Sequence, residues 1–314
     1  LFFLPQSFVR TAFALAQITQ FRGWRPPEGK IKILDLGCGP GSCGLSLAYH
    51  LRNLAKQEVE VFGLDHSPNA LRGLTAWAQA GFSPSISTRT RLGDVNRPET
   101  WPEEKFSVIV AGFVLNELTQ QNLTAKLEWI KACQSRLSPG GLLLILEPAL
   151  RLTAEKLTEL SDQITHHGIM HRLAPELDAL PCPQLAQGEH WSYEARAWSA
   201  PSATAYINRK LHRDLREVRF SFAAFSNQPP SVLTPNLARV VSDIQIIKGL
   251  LRFITIRAGQ LETVEVPTRG LSKHEIKVFA AGFSRGDIVA YDHPPSPKLR
   301  LTSLDGLKVI WTPK

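Results

Sequence analysis

Ile31-Lys-Ile-Leu-Asp35-Leu-Gly37-Cys-Gly39-Pro-Gly41-Ser-Cys43-Gly44 is the stretch on which the fold turns. An apolar run enters Asp35, and glycines then recur at every second position. An apolar helical pattern follows from Leu45 to Leu54. This order predicts a buried parallel strand, a tight turn and a helix N-terminus. Glycines admit positive φ and remove the Cβ atoms that would block a ligand. The helix start offers unpaired N–H groups and a partial positive charge. A turn of this kind seats a nucleotide-like ligand.

Four more candidate strands follow at helix-length intervals. Val59–Asp65 ends in an acid, Thr88–Asp94 ends in another, Phe106–Phe113 runs into Asn116 and Glu117, and Ser138–Glu147 closes the series. Strands alternating with helices predict an α/β fold with a parallel, doubly wound sheet. The dinucleotide fingerprint spaces its glycines G-x-G-x-x-G. Here the third glycine comes one residue early, and an acid precedes the first glycine by two. That pattern resembles the first motif of the Rossmann-like methyltransferases that use S-adenosylmethionine (SAM). The resemblance implies SAM as cofactor, held by Asp35, Gly37, Gly39, Gly41, Asp65, Asp94 and Phe113. Asp65 is placed to accept from ribose hydroxyls and Asp94 from the adenine amino group. Each acid has a second reading, as a cap of the next helix, and Asp35 as the brace of the glycine turn.

With 43% hydrophobic and 20% charged residues the chain reads as an ordinary globule with ample core. No apolar run is long enough for a membrane span, and no signal-like segment opens the chain, so a cytoplasmic setting without membrane partners is expected. Phe3–Phe21 reads as an amphipathic helix leading into the sheet. The four cysteines, Cys38, Cys43, Cys133 and Cys182, form no C-x-x-C pair and suggest no disulfide framework. Charge is unevenly spread. Residues 1–208 are balanced, and residues 209–314 carry the whole formal excess of +8. The densest basic run, Arg209 to Arg219, offers Arg209, Lys210, Arg213, Arg216 and Arg219 to a phosphate-rich partner. Asp214 and Glu217 interrupt it, so a solvated helix face is the other reading.

A SAM-binding domain over residues 1–226 is expected, with an irregular insertion over about 165–205, and a small basic β-rich region over 227–314. Glu217–Phe225 reads as an edge or antiparallel strand. A β-meander is expected over Arg239–Ile247, Leu250–Arg257 and Leu261–Val266, then a helix over Ser272–Ala281 and a short strand near Asp287–Ala290.

The order of parts resembles a narrower family, the methyltransferase-like assembly factors of mitochondrial and bacterial small ribosomal subunits. The similar pieces are the glycine turn, Phe113–Leu118, Glu147-Pro148, Pro181-Cys-Pro-Gln-Leu185, the Arg219-Phe-Ser-Phe strand and Arg285-Gly-Asp287. The resemblance implies the small ribosomal subunit or its rRNA as partner, and a role in translation. It also implies a cysteine-held iron–sulfur centre, from which this chain departs. Glu176 and His190 stand where cysteines are expected and only Cys182 remains, so no iron–sulfur cluster is expected. A Glu176, Cys182 and His190 set suits zinc in principle. A loop held by packing of Pro181, Trp191 and Trp198, with no metal, is the simpler reading. Asn116 and Glu117 are the candidate catalytic residues, Asn116 to orient the acceptor and Glu117 to contact cofactor or act as base; capping and plain surface placement compete with those roles. No Asn-Pro-Pro-aromatic tetrad is present, and Cys133 lies on a predicted helix away from the strand ends. Three functions follow: an rRNA-directed methyltransferase, an assembly factor that binds SAM without turnover, and a small-molecule methyltransferase.

Overall fold

A computed structural model describes residues 3–82, 86–188, 190–212 and 216–313. Helix α1 (Phe3–Ala16) passes into a π turn (Gln17–Phe21). Then come β1 (Ile31–Leu36), α2 (Ser42–Ala55), β2 (Val59–Asp65), α3 (Pro68–Gly81), β3 (Ile86–Leu92), β4 (Phe106–Gly112), α4 (Leu123–Gln134), β5 (Leu137–Glu147) and α5 (Arg151–His166). The sheet continues through β6 (His171–Ala174), α6 (Pro183–Gln187), β7 (Glu194–Ala197), α7 (Ser202–Lys210) and β8 (Glu217–Ser226).

The strand order is β3-β2-β1-β4-β5-β8-β6, with β7 on the other half of β8. β1 to β5 are parallel and β8 runs antiparallel to β5. The apolar strands predicted from sequence are apolar because both faces are covered. Ile33, Val61, Val108 and Leu144 pack on one face with Leu15 of α1, Leu47 of α2 and Leu74 of α3. Leu34, Ile109 and Leu143 pack on the other with Ile130 of α4 and Leu160 of α5. Ser67 caps α3, accepting from Ala70 N at 3.3 Å, and Pro68 opens it, as helix-start chemistry requires. β1 and β4 are neighbours and connect to opposite sides, so the carboxyl ends of these two strands frame the crevice where such sheets bind ligands.

Beyond β8 a second sheet forms from β9 (Leu237–Val240), β10 (Gln245–Ile247), β11 (Leu250–Arg257), β12 (Gln260–Pro267), β13 (Ile288–Ala290), β14 (Lys298–Arg300) and β15 (Lys308–Trp311), with helix α8 (Lys273–Ala280) after β12. Its order is β14-β12-β11-β9-β13-β15, with β10 on β11. No described helix is long and apolar enough to cross a membrane.

Three expectations change. The irregular stretch supplies β6, α6 and β7, short elements whose partner strand lies far along the chain. β8 is antiparallel, as one of its two readings had it, but is not a bare edge: β6 pairs with residues 224–226 opposite β5, and β7 pairs with residues 217–220. The strand expected over Arg239–Ile247 is two, since Ser242 Oγ accepts Ile254 N–H at 2.8 Å in place of the backbone ladder and turns the chain.

Candidate active site

The glycine turn is shaped by what each missing side chain would meet. Gly37, Gly39 and Gly41 all have positive φ (64°, 51° and 90°). A Cβ on Gly37 would lie 2.6 Å from Val114 Cγ2, and one on Gly41 would strike Leu74. A Cβ on Gly39 would meet nothing within 4 Å. Two glycines are therefore demanded by packing, and the third faces open space at the turn.

Two buried acids fix this turn from opposite sides. Asp35 Oδ2 accepts Gly44 N–H at 2.8 Å, and a Cβ on Gly44 would come within 2.7 Å of that oxygen. Burial pushes the Asp35 carboxyl up to about 7; the Gly44 N–H opposes this and the charge of Asp65 adds to it. Asp65 accepts Gly39 N–H and Ser67 N–H, each at 2.8 Å, through different oxygens. Asp65 thus joins the turn to the start of α3, and each oxygen keeps a lone pair for a further donor. Asp94 is exposed two residues beyond β3 and binds the backbone and side-chain N–H groups of Asn96, both at 2.8 Å. Asn96 Oδ1 in turn accepts Thr119 N–H at 2.7 Å and Thr119 Oγ–H at 2.6 Å, tying the loop after β3 to that after β4. A cavity of ≈ 590 Å³ opens between these loops and α4.

At the end of β4, Phe113 stands at φ 65°, with its N–H donated to Leu146 O at 2.7 Å. The next turn is braced by Glu147 at the end of β5. Its Oε1 accepts Leu115 N–H at 2.9 Å and its Oε2 accepts from Asn116 Nδ2 at 2.5 Å. Burial raises the Glu147 carboxyl above its ordinary value, against those hydrogen bonds. Asn116 therefore spends its amide on the brace, and Glu117 is exposed. Burial also pushes all four thiols up, Cys43 to about 12, so none is poised as a nucleophile.

Two residues of this rim escape a reading of motifs. Glu147 is noticed only as a strand end, although its carboxylate shapes the turn after β4. Arg10 of α1 lies with its guanidinium 5.6 Å from the Phe113 ring centre. A lone arginine in an amphipathic helix carries no local signal of such a placement.

The residues present fit SAM. Gly39 leaves room for it, Asp65 offers carboxylate oxygens beside Gly39, and Phe113 follows β4 at the same end of the sheet.

The predicted phosphate-binding run divides. Arg209 and Lys210 end α7 and are exposed. Arg219 pairs with Glu217 on β8, Arg216 is engaged, and Arg213 lies outside the described residues. Cys182 Sγ is 3.9 Å from Glu176 Oε1, but Glu176 is ion-paired with Arg239 at 3.0 Å. Among the described residues no three His, Cys, Asp or Glu gather to hold a metal ion.

The profile of a family described as "Methyltransferase domain" matches residues 27–198. No curated protein sequence matches the chain. Among solved structures, magnesium protoporphyrin IX methyltransferase from Synechocystis is similar at 11% identity, over 71% of this chain and 80% of that one, with a TM-score of 0.42. A TehB-like SAM-dependent methyltransferase from Corynebacterium glutamicum is similar at 21% identity, over 71% and 88%, with a TM-score of 0.36. An rRNA methylase from Streptococcus thermophilus is similar at 13% identity, over 68% and 95%, with a TM-score of 0.34.

Proposed function

Since the chain belongs to the methyltransferase domain family, we propose that it binds SAM in the Gly37–Gly41 crevice and methylates RNA of the small ribosomal subunit. The cofactor reading is carried by one observation: a left-handed glycine facing open space, with a buried carboxylate at its amide. When bound, SAM supplies an electrophilic methyl group. The chain's task is then to hold it and to orient the acceptor against it. Asp65 anchors the ribose side, and the loop braced by Glu147 borders the acceptor side.

The RNA reading rests on the narrower resemblance and on charge. Arg209 and Lys210 are exposed at the end of α7. In the second sheet Lys248 and Arg269 flank the Thr268 N–H to Gly249 O bond at one end, and Lys273 and Lys277 follow on α8, all exposed. Such a surface attracts a polyanion, with affinity that falls steeply as salt rises.

A second reading, an assembly factor that binds SAM without turnover, is favoured by one observation. Asn116 and Glu147 are committed to each other, which takes the Asn116 amide away from an acceptor.

Calorimetry and methyl transfer separate these readings. Asp65→Ala is expected to weaken SAM binding by about 10-fold or more, the range for a lost charge-assisted hydrogen bond. Undiminished affinity would overturn the cofactor site. Labelled SAM with small-subunit RNA then distinguishes the enzyme, which labels it, from the assembly factor, which binds it and leaves it unlabelled. Affinity for that RNA that does not change with salt would remove the RNA reading.

A further inference from the structure

Arg10 is the only charged residue of α1. It brings a guanidinium into the rim of the crevice. Its Nη2 donates to Gln6 Oε1 at 3.2 Å, and its Cζ stands 5.6 Å from the centre of the Phe113 ring. Its Nε is buried with no hydrogen-bond partner. Among the described residues no carboxylate pairs with it. Three more deeply buried arginines are answered by carboxylates: Arg172 by Asp162, Arg239 by Glu176 and Glu194, Arg257 by Glu262. Arg10 is half-buried, and a cation partly withdrawn from water without a counter-charge is costly, so Arg10 marks a place where an anion would be stabilised.

Its surroundings say which anion. Phe113 follows Gly112, where a Cβ would strike Cys43 Sγ in the first turn of α2. Arg10 therefore stands beside the α2 N-terminus, whose dipole also favours negative charge. The acids of the turn, Asp35 and Asp65, repel an anion, so a ligand carboxylate here needs a cation. SAM carries a single carboxylate, at its amino-acid end, opposite the ribose that Asp65 serves.

We propose that Arg10 receives the carboxylate of the cofactor's methionyl group, closing the crevice from α1 and selecting amino-acid-bearing cofactors over those without the carboxylate. The inference rests on the SAM reading above. It assigns α1, which lies outside the matched methyltransferase region, to the cofactor site.

The test is calorimetry of the full chain with SAM, S-adenosylhomocysteine and decarboxylated SAM, which lacks only the carboxylate. The wild-type chain is expected to bind the two carboxylate ligands about 10- to 100-fold more tightly than decarboxylated SAM, the range of one charge-assisted pair. Arg10→Met should abolish that preference, and Arg10→Lys should keep part of it. Equal wild-type affinity for SAM and decarboxylated SAM overturns the proposal without any variant. So does Arg10→Met with unchanged SAM affinity, which would hand Arg10 to the acceptor. If the wild-type chain binds none of the three ligands, the SAM reading fails and this inference fails with it; binding with no role for the carboxylate sinks this inference alone.

Discussion

Asp35 is a carboxyl in the interior with a single N–H for company. That makes it a titrating weak point. Its carboxyl sits near 7 in the fold against an ordinary 3.8. Between those values the folded chain keeps a proton that the unfolded chain has released. Stability therefore falls as pH rises across this window, by up to about 1.4 kcal/mol per pH unit, and levels off above it. Asp35→Asn keeps an acceptor for Gly44 N–H and removes the ionisation. It should lose less stability than the wild-type chain between pH 5 and 7.5 in urea unfolding. An identical loss in both proteins would show that Asp35 does not titrate there. The sequence already gives the turn its glycines and acids, since each is required locally. It leaves open whether Asp65 binds a ligand or caps α3; the carboxylate spans both Gly39 and Ser67, and so serves the turn whatever else it binds.

Among elements, the junction of β4 and β5 shapes the acceptor side. β4 ends at Gly112, and the chain then doubles back through Phe113 to Asn116 under the carboxylate of Glu147. Glu147→Ala would leave Leu115 N–H and the Asn116 amide without their acceptor. A loss of about 1–3 kcal/mol in stability is expected for such unmet donors. Methyl transfer should fall further than SAM affinity, because Glu147 touches the turn after β4 and not the glycine turn. Glu147→Gln retains one acceptor and should be milder. Equal transfer and equal unfolding midpoints for Glu147→Ala and the wild-type chain would refute the brace. Both strands are plain in the sequence as apolar runs. The brace is not, because a strand-end glutamate reads the same whether it reaches water, a ligand or a neighbouring turn. β6 and β7 are missed for a related reason: at four residues each, neither is long enough to show a period, and their pairing with β8 alone defines them.

Across the whole molecule, the two sheets are locked by buried charge. Arg239 of β9 donates to Glu176 Oε1 at 3.0 Å, to Ser192 Oγ at 3.0 Å and to Glu194 Oε1 at 2.8 Å. Arg196 bridges Glu194 and Asp287. Arg285 lies 3.9 Å from the Tyr193 ring centre, and a Cβ on Gly286 would strike Glu194. Arg285-Gly-Asp287, one of the pieces on which the narrower resemblance rests, is thus an internal fastening. Despite its burial, Glu194 is held below its ordinary value by Arg196 and Arg239, so its own pairs stay charged, whereas burial pushes the Asp287 carboxyl up against its bond from Arg196. Arg239→Met would strand Glu176 and Glu194. It should cost about 3–5 kcal/mol, as breaking a buried ion pair does, and separate the unfolding of the two sheets into two transitions. A single transition at the wild-type midpoint would refute the fastening. The +8 excess of residues 209–314 already counts Glu217, Glu262 and Glu265, the partners of Arg219, Arg257 and Arg252, whereas Arg239 is answered from outside that region by Glu176 and Glu194.

Alternation of apolar strands and helices, the glycine spacing and the helix caps are short-range properties. Each is enforced by steric and hydrogen-bonding demands within a few residues, so the sequence alone determined the parallel sheet and its glycine turn. Arg239 and Glu176 stand 63 positions apart, and Arg10 meets Phe113 only because α1 packs against α2. Charge neutralisation and the desolvation of a cation depend on what the fold brings close. For that reason only the tertiary structure decided that Arg172, Arg239 and Arg257 are fastenings and that Arg10 stands beside Phe113 without a carboxylate.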